Sequence, residues 1–348
     1  MGTIWFCLVA IMIDVYVLLD GFDLGAGAIH LFVARTDEER RQVLASIGPI
    51  WDGNEVWIVA AGGTLYFAFP ALYASSFSGF YLPLMMVLWL LILRGTSIEF
   101  RNHLHSAVWE PVWDFLFCSS SLLLAIFFGA ALANVVRGVP LDSTGYFFEP
   151  LWTNFALGEE TGILDWYTIL VGILALLALA MHGALWVQLK TTGPVSQRSA
   201  RLACQIWWGV AAFTAIVTAV TFKIQPQIKE NLTTYPWGMI FPLLAVAGLA
   251  GVQFEIVKRD ESKAFLASCA YLTGMLTSVV FGLYPMVLPA RNPIYSLTVA
   301  SAKAADYGLK IGLIWWVLGI VLATCYFIFV YRNFAGKVSL EKDVHTHG

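Results

Sequence analysis

Charge is what this sequence has least of. Only 12% of its 348 residues are Asp, Glu, Lys or Arg, against 59% hydrophobic. Soluble domains carry roughly 25% charged residues, so a soluble globular protein is excluded. Aromatics at 15% exclude disorder. Cysteine is scarce and unpaired. Cys7, Cys118, Cys204, Cys269 and Cys325 stand singly, and without CxxC or CxxCH there is no support for thiol redox chemistry, structural zinc or covalently attached haem. Histidine is short too. His345 and His347 lie in the tail and His103 and His105 in a polar stretch. That leaves His30 and His182 at membrane depth, barely enough for one bis-histidine haem, and no HxxxH or ExxH in an apolar run suits a metal cluster. The net charge of −3 supplies no basic patch for phosphates, so nucleic acid is not a partner.

What remains is long apolar runs, with a mean hydropathy of +0.74. A bilayer-spanning helix needs about 20 mostly apolar residues. The runs predict nine spans near 3–31, 46–69, 76–94, 112–136, 163–189, 202–222, 237–257, 264–289 and 309–331. The fold class is an all-α polytopic transmembrane bundle, because barrel strands would alternate over about 10 residues. One membrane domain covers 1–348, with a first helical bundle over 1–136, a second over 163–289 and a final peripheral span over 309–331. The first run has no basic n-region or small-residue cleavage site and reads as a retained span. With the N-terminus outside, only Arg137, Lys223, Lys229, Arg291, Lys303 and Lys310 face out. The other fourteen basic residues face in, so the positive-inside bias places the C-terminus in the cytoplasm. The longest outer loop, about 137–162, carries Asp142, Glu149, Glu159 and Glu160, with Tyr146 and Trp152 as interfacial anchors.

Ionised side chains are costly in hydrocarbon and must face protein, water or a cofactor. Asp14, Asp20, Asp23, Asp52, Glu55 and Asp114 fall in the first four spans, whereas the later spans hold little beyond Asp165 and Glu255. In DGFDLGAG (20–27), Asp20 and Asp23 share a helical face, and Gly21, Gly25 and Gly27 permit close approach of a neighbouring helix. The alternative is a helix end at the inner surface with Asp23 solvated. In GPIWDGNEVW (48–57), Asp52 and Glu55 share a face beside Asn54 and between Trp51 and Trp57. A carboxyl among indoles resists ionisation and is suited to taking up and releasing protons. A hydrogen-bonded packing cluster accounts for the same pattern. In SIEFRNHLH (97–105), Glu99 with His103 and Arg101 with His105 form either a solvated loop or a proton entry. Asp114 opens the fourth span, where a carboxylate also suits a helix N-terminus. His182 in MHGA reads as a packed core histidine.

Taken in order, these motifs resemble subunit II of the cytochrome bd family of quinol oxidases. The resemblance runs through DGFDLGAG (20–27), DEERR (37–41), IGPIWDGNEVWIVAAGGTLYFAFP (47–70), SGFYLPL (78–84), RGTSIEFR (94–101), VWDF (112–115) and RGVP (137–140). It continues in HGALWVQLKT (182–191), YPMVLP (284–289) and SLTV (296–299). It implies a nine-helix subunit of the prokaryotic plasma membrane, paired with a homologous subunit I that carries two haems b, one haem d and the quinol-oxidising loop. It implies oxidation of quinol, four-electron reduction of O2 to water with cytoplasmic protons, and no haem ligand from this chain. Some members also hold a structural quinone, and a small accessory membrane subunit is a further partner class. Matched by position, Asp23, Asp52 and Arg101 correspond to family residues associated with proton uptake or the haem d end. Asp114 matches another polar position, and Asp20 and Glu99 share the motifs. Asp52, embedded in the membrane, is the expected proton carrier, with Asp23 as its feeder and Glu55 beside it. Ser301 stands where relatives often have Asn. A proton-coupled secondary transporter is the competing reading, since buried carboxylates fit it as well.

Overall fold

The computed structural model describes residues 1–104, 106–158 and 161–338; His105, Glu159, Glu160, Lys342, His345 and His347 lie outside the described residues. The chain is almost wholly helical. α1 spans Gly2–Val33, α2 Asp37–Ala45, α3 Trp51–Ala68, α4 Pro70–Gly79, α5 Tyr81–Phe100 and α6 Trp109–Arg137. Then come α7 (Trp166–Lys190), α8 (Gly193–Ile224), α9 (Pro226–Thr234), α10 (Ile240–Lys258), α11 (Glu261–Leu283), α12 (Val299–Ala302) and α13 (Asp306–Asn333). Among the described residues, eight helices are long and apolar enough to cross a membrane: α1, α5, α6, α7, α8, α10 with its preceding 3-10 turn, α11 and α13. The second expected span, 46–69, corresponds to α3, which is outside that set because Asp52, Asn54 and Glu55 in its first turns lower its hydropathy. Yet α3 runs antiparallel along α1 from Asp23 to Trp5. Asn54 bonds Asp23, Thr64 reaches Met12, and the Ala68 carbonyl accepts from Ala304 N beyond α12.

Helix ends follow local chemistry. α2 opens with a capping box in which Thr36 Oγ1 accepts from Glu39 N and Glu39 accepts from Thr36 N. α7 opens with another, between Asp165 and Thr168. Pro70 sits at the start of α4, where its missing N–H costs nothing. The expected span 264–289 stops short at Leu283, because Pro285 lacks a donor and the chain turns into a hairpin. There β1 (Met286–Leu288) pairs antiparallel with β2 (Leu297–Thr298) through a bulge. The expected start at 202 moves back to Gly193, with Pro194 in the first turn.

Two helical stretches are buried all round. Every residue from Asp20 to His30 in α1 and from Ala178 to Val187 in α7 is buried. They touch at Gly25 and Gly183, where a Cβ on Gly25 would lie 1.9 Å from the Leu179 carbonyl oxygen. Gly27 lies against the Ser121 side chain of α6, while a Cβ on Gly21 would meet chiefly the flexible end of Leu179. One apolar core runs from α1 through α6 and α7 to α10 and α11. α13 lies at the periphery, with Leu309 its buried residue. α3 has two faces. Asn54, Trp57, Ala61 and Ala68 are buried, and Asp52, Val56, Val59, Gly63 and Tyr66 form an exposed stripe at heptad spacing.

Candidate functional site

The polar interior is built on α1. Asp20, fully buried, receives two bonds from the Arg94 guanidinium of α5, one of them 2.9 Å, and Arg94 is equally buried. Three residues further on, Asp23 accepts from Asn54 Nδ2 of α3 at 2.8 Å, and its second carboxyl oxygen is buried without a hydrogen-bond partner. Asn54 Oδ1 in turn accepts from the Tyr331 hydroxyl of α13 at 2.8 Å. Four helices thus converge on two adjacent carboxyls of one helix face. The alternative of a solvated Asp23 is set aside by its complete burial.

Asp52 is elsewhere. It sits in the first turn of α3 on the exposed stripe. Residues 52 and 54 lie about 200° apart around a helix, so the turn that aims Asn54 at Asp23 aims Asp52 away from this chain. Asp52 is thus exposed on this chain, apart from the Asp20–Asp23 cluster. Glu55 is half-buried between them and interacts electrostatically with Arg94, Asp20 and Asp52.

A second cluster closes the α2 side. Asp114 of α6, 1% exposed, accepts from Arg101 Nε at 2.6 Å, from Arg40 at 3.1 Å and from His30 Nε2 at 2.8 Å. Arg101 also reaches Asp37 at 2.7 Å, and Arg41 bonds Asp37 at 2.7 Å. Burial would raise the Asp37 carboxyl, but Arg101 and Arg41 outweigh it and hold it below the ordinary aspartate value. Arg101 is therefore not a loop charge but the buried clasp between α2, the end of α5 and the start of α6. Glu99 is exposed, and His103 bonds the Glu99 backbone carbonyl rather than its carboxylate, so the expected Glu99–His103 side-chain pair does not form.

On the opposite side, Arg137 at the end of α6 bonds Glu149, Asp165 and the Gly162 carbonyl. Arg291 joins the same Glu149 and the Thr161 carbonyl. These contacts tie the long loop to the hairpin segment. Burial pushes the Glu149 carboxyl above the ordinary glutamate value despite both guanidiniums.

The membrane-depth histidines are engaged. His182 Nε2 donates to the Leu18 carbonyl at 3.0 Å, Nδ1 lies 2.7 Å from Ser268 Oγ, and the ring stacks on Phe265. His30 is held by Asp114 and packed edge-on to Phe117. The other ring nitrogen of His30, Nδ1, is buried without a hydrogen-bond partner. Among the described residues no group of three His, Cys, Asp or Glu is placed to hold a metal ion.

A model of cytochrome bd terminal oxidase subunit II matches residues 1–334. The chain belongs to that family. It is 32% identical to the probable cytochrome oxidase subunit 2 of Haemophilus influenzae, covering 99% of this chain and 97% of that one. It is 30% identical to the cytochrome bd ubiquinol oxidase subunit 2 of Bacillus subtilis, covering 88% of each. The bd oxidase of Geobacillus thermodenitrificans shares its fold, with a TM-score of 0.74 over 96% of this chain and 98% of that one at 15% identity. As a subunit of a bd-type terminal oxidase, the chain is part of an oxidoreductase complex and has a partner subunit I; the transporter reading gives way to family membership. The residues missed from the sequence are Arg94 and Tyr331. Arg94 is one of the fourteen basic residues that the positive-inside count turns inward, although a lone arginine within the apolar run 81–98 is the signal. Tyr331 carried no signal, since an aromatic near a helix end reads as an interfacial anchor.

Proposed function

We propose that this chain forms one membrane domain of nine crossings, α3 included, with its N-terminus outside and its C-terminus cytoplasmic in the prokaryotic plasma membrane. There it braces a haem-bearing subunit I and feeds protons to it as the complex oxidises quinol and reduces O2 to water. Two haems b and one haem d belong in this reading to subunit I, where they would supply the electron transfer and O2 chemistry. The engaged His182 and His30 support that division. A small accessory subunit remains compatible with the apolar flanks of the chain.

The observation that carries the proton reading is the two-sidedness of α3. Its inner side holds Asn54 on the buried carboxyl of Asp23, and its outer side carries Asp52 on a stripe this chain leaves uncovered. Glu55 lies between the two. Asp23 and Asp20 take up the proton within the first bundle, 1–136, Glu55 relays it, and Asp52 hands it across the face that subunit I covers. Arg94 neutralises Asp20, so that the pair of adjacent carboxyls bears about one negative charge rather than two, which low dielectric strongly favours. On the α2 side, Arg101 and Asp114, with Glu99 at the surface, frame the entry from the cytoplasm.

The test uses the purified complex. Asp23→Asn and Asp52→Asn are each expected to lower quinol-driven O2 uptake at least tenfold while haem absorbance per complex is retained. Unchanged turnover in both would sink the route. A joint loss of turnover and haem absorbance would make these residues structural only.

A further inference from the structure

α13 is loosely packed for most of its length, yet its last turn ends on a specific polar contact. The Tyr331 hydroxyl lies 2.8 Å from Asn54 Oδ1, the amide whose nitrogen holds Asp23 Oδ2 at 2.8 Å. An amide oxygen only accepts, so the tyrosine is the donor. That proton, together with the Leu19 carbonyl that accepts from the NH2 at 3.4 Å, fixes the amide: oxygen toward α13, NH2 toward Asp23. Turned by 180°, the amide would set its oxygen against the carboxylate and face its NH2 to a hydroxyl with no acceptor for the tyrosine proton. A flipped amide suits a protonated Asp23, which can donate to it; the observed amide suits the ionised one.

The end of α13 is held in place to make this contact. Just past it, Val338 N donates to the Lys190 carbonyl at 2.8 Å, and the Lys190 ammonium donates to the Phe334 carbonyl. Lys337 reaches the Gln188 and Thr191 carbonyls and Glu261 at 3.2, 3.0 and 2.7 Å. Residues 334–338 therefore clasp the ends of α7 and α11, and the Tyr331 ring rests against Trp186 and Phe327.

We infer that Tyr331 is a positioning residue that, through Asn54, biases Asp23 toward its ionised form, so that the C-terminal helix and its clasp belong to the proton-handling site. This rests on the reading of Asp23 as a proton carrier. The charged and titratable groups around Asp23 are Asp20 and Tyr16 on α1, Glu55 on α3, Arg94 on α5 and Tyr331 on α13. α7 and α11 bring His182, bonded to the Leu18 carbonyl, and Cys269, which faces Tyr331. Tyr331→Phe removes one donor and leaves every one of these charges in place.

The experiment compares wild type, Tyr331→Phe and Asp23→Asn in the assembled oxidase. Three readouts are taken: the pH profile of quinol-driven O2 uptake, the infrared carbonyl band that Asp23→Asn abolishes, and the haem spectrum. Tyr331→Phe is expected to move the profile to higher pH by about 0.5–1 unit, a three- to tenfold change in proton affinity, and to shift the Asp23 band with the haem spectrum unchanged. If Asp23→Asn leaves both turnover and its pH profile intact, the proton-carrier reading fails. If Asp23→Asn impairs turnover but Tyr331→Phe reproduces the wild-type profile and band, Tyr331 is packing alone and the inference is overturned.

Discussion

Replacing Arg94 with leucine leaves the Asp20 carboxyl buried without its cation. Both side chains are fully buried and joined by two hydrogen bonds. Unit charges about 4 Å apart interact by about 4 kcal/mol at an effective dielectric near 20, and removing one partner of a buried ion pair costs about 3–5 kcal/mol. Arg94→Leu is therefore expected to destabilise the subunit by about 3–5 kcal/mol, about two to four powers of ten in the unfolding constant. Asp20→Leu should cost less, about 2–3 kcal/mol, because Glu55 remains to face Arg94. The double replacement removes both charges and should fall within about 2 kcal/mol of wild type, since an apolar pair often substitutes for a buried ion pair without loss. Equilibrium unfolding in mixed detergent micelles, read by haem retention and circular dichroism, gives the coupling energy. Single costs that simply add, with coupling below about 0.5 kcal/mol, would refute the pairing. Turnover separates stability from function: the double variant should fold and bind haem-bearing subunit I yet lose at least tenfold in O2 uptake, and full activity would mean that Asp20 serves the fold alone.

Three further outcomes follow from the packing and electrostatics. Gly25→Ala places a Cβ 1.9 Å from the Leu179 carbonyl oxygen and 2.7 Å from Gly183 N, so α1 and α7 must part and the subunit should lose about 1–3 kcal/mol; Gly62→Ala, with nothing within 4 Å, is the neutral control in the same melt. Gly63→Trp on the uncovered stripe should leave the subunit's own melt unchanged and abolish co-purification of the haem partner; undiminished co-purification would place the partner on another face. Arg198, with the Arg35 and Thr36 amides, holds the Glu39 carboxyl below the ordinary glutamate value. A depressed carboxylate stabilises above its unfolded pKa and loses that contribution as pH falls through its folded one. Amide protection across Asp37–Ala45 should thus be intact at neutral pH and fade below about pH 4; hydrogen exchange that does not change over that interval would refute it.

The membrane class, the crowding of acids into the first helices and the close approach at DGFDLGAG were legible because each depends on residue type and spacing along one helix. What stayed hidden depends on which helices meet. Arg94 was visible as a residue, but its pairing with Asp20 is 74 positions away, and a basic residue near the end of an apolar run also satisfies the positive-inside count. Tyr331 and Asn54 are separated by 277 positions, and neither residue type announces a buried relay. α3 blurred for a different reason: its polar first turns lower its hydropathy, and only its partners reveal that it runs along α1 from Asp23 to Trp5.

Asp52 shows why the motif WDGNE misleads when read as one cluster. Its three polar residues occupy three directions around a single turn, and each direction has a different neighbour. Asn54 points at a carboxyl of the same chain, Glu55 lies half-buried beside the Asp20–Arg94 pair, and Asp52 is exposed, with the like-charged Glu55 as an electrostatic neighbour. An exposed acid in the first turn of a short helix is ordinary in water but costly in hydrocarbon. It is flanked on its own stripe by Val56, Val59, Gly63 and Tyr66, an apolar, small-residue surface suited to another helix. A carboxylate placed at the head of such a surface is sheltered only when a second polypeptide supplies its partner. The buried half of the turn is therefore assembled by this chain alone, and the proposed handover at Asp52 requires a second polypeptide on the outward half.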